Sequence, residues 1–263
     1  MGIRPFCDAL FGTDAFGGNL ISINTMTGTG TIVGNMGFRA PALAIDPTTN
    51  IMYAGQGGGQ PNLYTIDPNT GQATLVGNSG LGFAAIGALD FRSDGTLFAA
   101  VNIASLEGAD HLAIINKNTG AATIIGSFGE CTGVEIPSTG GGTCNIKGLD
   151  AIVFTEDGTL LGALNNNGAA GTPGLYTIDI NTGKATFLRP FVNSDLLAGG
   201  VVSLEFCGGT LFGGTARSAP GTGTDGGRLI TIDPDTGLWE FVGTESATGG
   251  TSLGGLAGIT KFR

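Results

Sequence analysis

Residues 63–77 read LYTIDPNTGQATLVG, and residues 88–100 read ALDFRSDGTLFAA. In the first stretch, two short runs, LYTI and ATLV, flank Asp67-Pro68-Asn69-Thr70-Gly71. Both runs alternate and carry β-branched residues, the pattern of half-buried strands. Asp67 opens the turn by accepting a hydrogen bond from a nearby backbone N–H. Gly71 closes it with a positive φ, as in a type I turn with a G1 bulge. The second stretch is another hairpin, ALDF and TLFAA around RSDG. Together they predict four antiparallel strands, a, b, c and d, in about 40 residues, which is the size of a propeller blade.

The rest of the chain repeats this unit. The turn [DN]-x-x-T-G recurs with its glycine at 28, 71, 120, 183 and 237. LISI, LYTI, LAII, LYTI and LITI precede it; GTIV, ATLV, ATII, ATFL and WEFV follow it. Asn replaces Asp at positions 24 and 116, so these residues read as turn formers and not as metal ligands. The a–b hairpin recurs as AIVF-TEDG-TLLGA at 151–163, with weaker copies at 42–55 and 203–214. The N-terminus supplies only b, c and d, and 256–262 supplies a lone a strand. The fold class is therefore all-β: a five-bladed β-propeller, four antiparallel strands per blade, its first blade closed by the C-terminal strand. The expected blades span 8–35 plus 256–262, then 42–77, 86–126, 148–189 and 201–243, in one domain.

Composition agrees and excludes several functions. The chain has 263 residues, 50 of them Gly, with 11 Lys plus Arg against 21 Asp plus Glu, a net charge of −10. Hydrophobic residues at 41% rule out a disordered chain. The acidic balance argues against a nucleic-acid partner. No apolar run is long enough for a membrane-spanning helix. Residues 1–5 lack an apolar signal-peptide core; the expected location is extracellular or periplasmic, with a signal removed beforehand. Of the four cysteines, Cys131 and Cys144 bracket a Gly/Thr-rich insertion and are expected to form a disulfide. Cys7 and Cys207 occupy matching Phe-Cys positions and would pair only if their Cα atoms come within about 7 Å.

The unit LYTIDPNTGQATLVG…ALDFRSDGTLFAA resembles the repeats of secreted bacterial β-propeller proteins, largely of unassigned function, along essentially the whole chain. The resemblance implies the fold and no particular activity.

Strand direction divides the faces. The a–b and c–d turns share a lower face and are short and uniform. The b–c loops and d–a crossovers share an upper face and are long and irregular, as binding loops on a rigid scaffold are. The candidate ligand-binding residues there are Asp14, Phe16, Phe38, Arg39, Gln56, Phe83, Asn102, Asn165 and Arg217. Phe38, Phe83, Phe128 and Phe191 lie in successive crossovers, either capping the gaps between blades or forming an exposed aromatic ring. The only histidine, His111, makes no triad. Candidate catalytic carboxylates are Asp150, at the start of an inner strand, and Asp90 with Glu205, at matching positions of two inner strands. Such a pair suits acid–base work or Ca²⁺; no other cofactor is expected. Arabinanase-type five-bladed glycosidases need several carboxylates at inner-strand starts, and this chain departs from that pattern. The leading expectation is a non-enzymatic module binding a carbohydrate or protein ligand on the long-loop face. The alternatives are a polysaccharide hydrolase or lyase using axial carboxylates, and a self-assembling component of a cell-surface layer or filament.

Overall fold

The computed structural model describes residues 5–104, 110–130, 145–164, 172–193, 200–216 and 226–262. Twenty strands form five four-stranded antiparallel sheets. Blade 1 holds β1 (Pro5–Asp14), β2 (Asn19–Ile23) and β3 (Gly30–Asn35). Blade 2 is β4 (Ala42–Ile45), β5 (Met52–Gly55), β6 (Asn62–Ile66) and β7 (Ala73–Asn78). Blade 3 is β8 (Ala84–Phe91), β9 (Leu97–Ile103), β10 (Asp110–Ile115) and β11 (Ala122–Ser127). Blade 4 is β12 (Ala151–Phe154), β13 (Leu160–Leu164), β14 (Gly174–Ile178) and β15 (Ala185–Pro190). Blade 5 is β16 (Val201–Cys207), β17 (Thr210–Thr215), β18 (Leu229–Ile232) and β19 (Trp239–Phe241). The last strand, β20 (Leu253–Phe262), returns to blade 1 as its innermost strand, antiparallel to β1 with Leu10 opposite Gly258. No helix among the described residues is long and apolar enough to cross a membrane.

Each blade buries both faces, one against each neighbour. The hydrophobic residues accordingly form five clusters, one per blade-to-blade gap, including the gap between blades 5 and 1. Phe128 and Phe191 are buried in two of these gaps, and Phe38 packs into a third. Those three aromatics therefore cap gaps. Phe83 does not, being 72% exposed.

The repeated turn behaves as its residues dictate, with one difference. Asn24, Asp67, Asn116, Asp179 and Asp233 each accept a side-chain hydrogen bond from the N–H two residues on, at 2.8–2.9 Å. The closing glycines all have positive φ, from 71° at Gly71 to 79° at Gly183. However, Asp67 N–H donates to Gln72 O and Gly71 N–H to Asp67 O. Four residues thus lie between the paired positions, so the c–d loop is one residue wider than a G1-bulge turn. The three-residue form is found in the a–b hairpin instead, where Gly95 N–H donates to Arg92 O.

These glycines also join the blades. A Cβ on Gly34, near the end of β3, would lie 1.9 Å from Thr70 O of the next blade, and one on Gly71 would meet the Gly34 backbone at 2.8 Å. The same contact pairs Gly77 with Gly120 and Gly126 with Gly183. Gly237 meets Pro190 O, and Gly28 meets Val242 O across the closure. Twisted blades thus touch backbone to backbone at all five joints.

One further contact closes the ring, and another ties two consecutive blades. Cys7 of β1 and Cys207 of β16 form a disulfide, Cα atoms 4.8 Å apart and 200 residues apart in sequence. The expected Cys131–Cys144 bridge lies outside the described residues. Between blades 2 and 3, Asp46 is fully buried and accepts from Lys117 Nζ at 2.5 Å. Burial alone would raise the Asp46 carboxyl, but Lys117, with the Thr48 hydroxyl and N–H, outweighs it and pulls the pKa down to about 2.

Candidate functional site

The inner strands surround an axial channel with a pocket at each end. The upper pocket has a volume of about 290 Å³ and the lower about 270 Å³. Between them the free space falls to about 10 Å³, where Leu43, Leu89, Ile152, Leu204 and Leu256 close in. The two pockets are therefore separate chemical environments.

The upper pocket is walled by the starts of the inner strands and by the long-loop face. Pro41, Gly87, Asp150, Val202 and Gly254 ring its floor, one from each blade. Phe16, Arg39, Gly57, Gly58 and Asn102 form its sides. Phe16 is 51% exposed, and the Arg39 guanidinium carbon lies 5.6 Å from its ring centroid. At the floor, a Cβ on Gly87 would lie 3.3 Å from Asp150 Oδ1, so the small residue leaves room for that carboxylate. Asn102 lines the pocket while its amide donates to Asp110 at 2.7 Å. Asp110, buried, also accepts from Gly148 N–H at 2.6 Å and so ties blade 3 to the segment that carries Asp150 into β12.

Other sequence candidates are engaged in building the loops. Asp14 Oδ1 accepts from Phe16 N–H, Gly17 N–H and the Thr251 hydroxyl, and Oδ2 from Asn19. It shapes the b–c loop that presents Phe16 and does not line the pocket. Gln56 Oε1 accepts from Asn62 Nδ2 and Tyr64 OH. Phe38 stacks on Tyr64 with ring centroids 4.1 Å apart, so it is a packing residue. Phe83 lies over Gly59, beside the pocket wall. Asn165 and Arg217 lie outside the described residues. His111 sits in β10, with no hydrogen-bond partner for its buried Nδ1 among the described residues. Trp239 packs against Phe241 and donates to Val192 O.

The lower pocket contains Asp90 and Glu205, with Phe91, Phe154 and Phe206 in its walls. The matching Val153 and Gly258 line it from blades 4 and 1. The three candidate carboxylates therefore do not converge: Asp150 is at one end and the pair at the other. Position along the inner strand is the signal for this, since Asp90 and Glu205 just precede the a–b turn. Asp90 accepts from Phe154 N–H at 2.6 Å. Burial pushes its carboxyl up to about 7, against the pull of the Phe154 and Phe91 N–H groups. Glu205 is raised by burial and then by the negative charge of Asp90, while Gly258 donates to it. Two carboxylates facing one enclosed space do not both ionise readily. Gly258 is required here: a Cβ would lie 2.8 Å from Cys207 Sγ and 3.1 Å from Glu205 Oε1. Among the described residues no three His, Cys, Asp or Glu side chains converge to hold a metal ion.

No family model matches the chain, and no curated protein matches it. Among solved structures, it is similar to a protein of unknown function from Bacteroides caccae, with a TM-score of 0.48 and 13% identity, covering 96% of this chain and 99% of that one.

Proposed function

We propose that this propeller is a binding module that takes a carbohydrate in the upper axial pocket. The observation that carries the reading is the pocket itself. It joins a half-exposed aromatic ring, Phe16, to the polar groups of Asn102, Asp150 and Arg39 on a floor of small residues. Sugars are recognised by that combination: an apolar face for C–H groups and a few fixed partners for hydroxyls. The volume of about 290 Å³ suits one sugar ring rather than a long segment.

The lower pocket is the rival. Its phenylalanines belong to the repeat unit, and its carboxylates are tied to backbone N–H groups, which suits a role in closing the channel. The Cys7–Cys207 disulfide supports an extracellular or periplasmic location, where such bonds persist.

The test is calorimetric titration with a panel of methyl glycosides, neutral and acidic. Binding by at least one member is expected, weakened tenfold or more by Phe16→Ala, with the unfolding free energy unchanged within about 0.5 kcal/mol. A panel with no binder, or a Phe16→Ala variant that binds as well as the parent, overturns the reading.

A further inference from the structure

The lining of the upper pocket holds one cation among the described residues. Arg39 is exposed, on the crossover from blade 1 to blade 2. No described carboxylate pairs with it, and its guanidinium makes no hydrogen bond to a described residue. It stands so although Asp plus Glu outnumber Lys plus Arg 21 to 11 in the chain. Arg92, Lys117 and Lys261 are each held by an aspartate, at 2.5, 2.5 and 2.7 Å. Arg39 instead lies over the Phe16 ring. Stacking restrains the side chain and leaves the planar fork of N–H donors for a ligand. That fork matches a carboxylate with two parallel hydrogen bonds.

The neighbours extend this into a rim. The Gly58 backbone, at φ 75°, passes under the Arg39 stem, a Cβ position there lying 4.0 Å from Arg39 Cδ. The next residue, Gly59, carries the Phe83 ring: a Cβ would meet Phe83 Cε2 at 2.2 Å. Phe16, Arg39 and Phe83 thus form an aromatic, cation, aromatic sequence across three blades, all exposed. The acid, Asp150, is on the floor. A ligand with a carboxylate at the mouth and hydroxyls below satisfies both ends.

We infer that the pocket selects carboxylate-bearing sugars of the uronate class. Arg39 binds the carboxylate, Asp150 and Asn102 take ring hydroxyls, and Phe16 packs on the apolar face of the sugar, with Phe83 flanking it at the rim. This rests on the carbohydrate reading above. The net charge of −10 repels anions at long range, so the selectivity comes from contact, within the Debye length of ~8 Å at 0.15 M salt.

The experiment titrates the full chain, at that salt, with methyl glycosides of galacturonate and glucuronate, and with galactose and glucose as neutral counterparts. At least one acid is expected to bind about tenfold more tightly than any neutral sugar, the ratio that a hydrogen bond to a charged group supplies. Arg39→Gln should abolish that ratio. Lys261→Gln, which removes one positive charge at the lower end, should leave it intact. Neutral sugars binding as well as the acids, or a ratio that survives Arg39→Gln, overturns the uronate inference and leaves the carbohydrate site standing. An equal loss of the ratio in Lys261→Gln would assign the preference to net charge and also overturn it. No binding by any sugar overturns both.

Discussion

The two ends of the axial channel are built from the same five strands and have opposite characters. The lower end repeats: Phe91, Phe154 and Phe206 are one motif position, and the turns beside it are short. The upper end does not: Phe16, Arg39 and Gly57 come from loops of unrelated length and composition, and Asn102 from the end of β9. The lower end also carries the ring's strongest ties: the Cys7–Cys207 disulfide and the turn-to-turn pair of Asp46 with Lys117. The upper end has an exposed ring, Phe16, and a guanidinium, Arg39, with no ion-pair partner among the described residues. In this molecule the repeat unit writes the scaffold, and the departures from it write the walls of the upper pocket.

That contrast is open to test by mutation, since lower-end changes should move stability and leave sugar binding alone. The largest effect is expected from replacing both Cys7 and Cys207 with alanine. The bond spans 200 residues, for which the chain-entropy model gives about 5 kcal/mol. Denaturant titration should show a lower midpoint; an unchanged midpoint would mean that β20 alone closes the ring.

Next is Lys117→Met, which leaves the fully buried Asp46 without its cation. A loss of about 3–5 kcal/mol is expected near pH 7. The sign follows from the depressed carboxyl. Stability from the pair is present above the unfolded value near 3.9 and is lost as pH falls through about 2. The parent and the variant should therefore converge in acid, and a constant gap from pH 2 to pH 7 would remove the ion pair as the cause.

Asp90→Asn should act in the other direction. Its carboxyl is raised in the folded state, so ionising it costs stability as pH climbs from about 4 toward 7. The variant should match the parent near pH 4 and be the more stable of the two at pH 8, with Phe154 N–H still satisfied by the amide oxygen. A variant less stable than the parent at pH 8 would show that the carboxylate is wanted ionised there, and the lower end would then be more than scaffold.

The fold was readable because the pattern recurs. Five copies of one turn, each between alternating runs, leave few other architectures, and a lone a strand at the end needs a blade lacking one. The tie between Asp46 and Lys117 was not readable. Both lie in turns, where each has a local explanation, and they meet only because blades 2 and 3 are adjacent. Asp14 misleads for the same reason: its partner Thr251 is 237 residues away, so a structural carboxylate looks like a free one on an irregular loop. The pocket was half readable. Strand direction placed it on the upper face and named Phe16, Arg39, Asn102 and Asp150. The inward turn of Phe38 onto Tyr64 depends on how far the blades twist, which no local pattern records.

The joints between blades have a consequence for the ring as a whole. Where side chains meet, a spacing can be adjusted by a methyl group here or there. At Gly34 against Gly71, Gly77 against Gly120 and Gly126 against Gly183, peptide meets peptide, and nothing adjustable is left between them. Each joint acts as a fixed gauge for the angular step from one blade to the next, and steps set in this way sum to a full circle only at one blade number. Duplicating a repeat would therefore not simply widen this ring. A sixth unit would require every gauge to be recut at once.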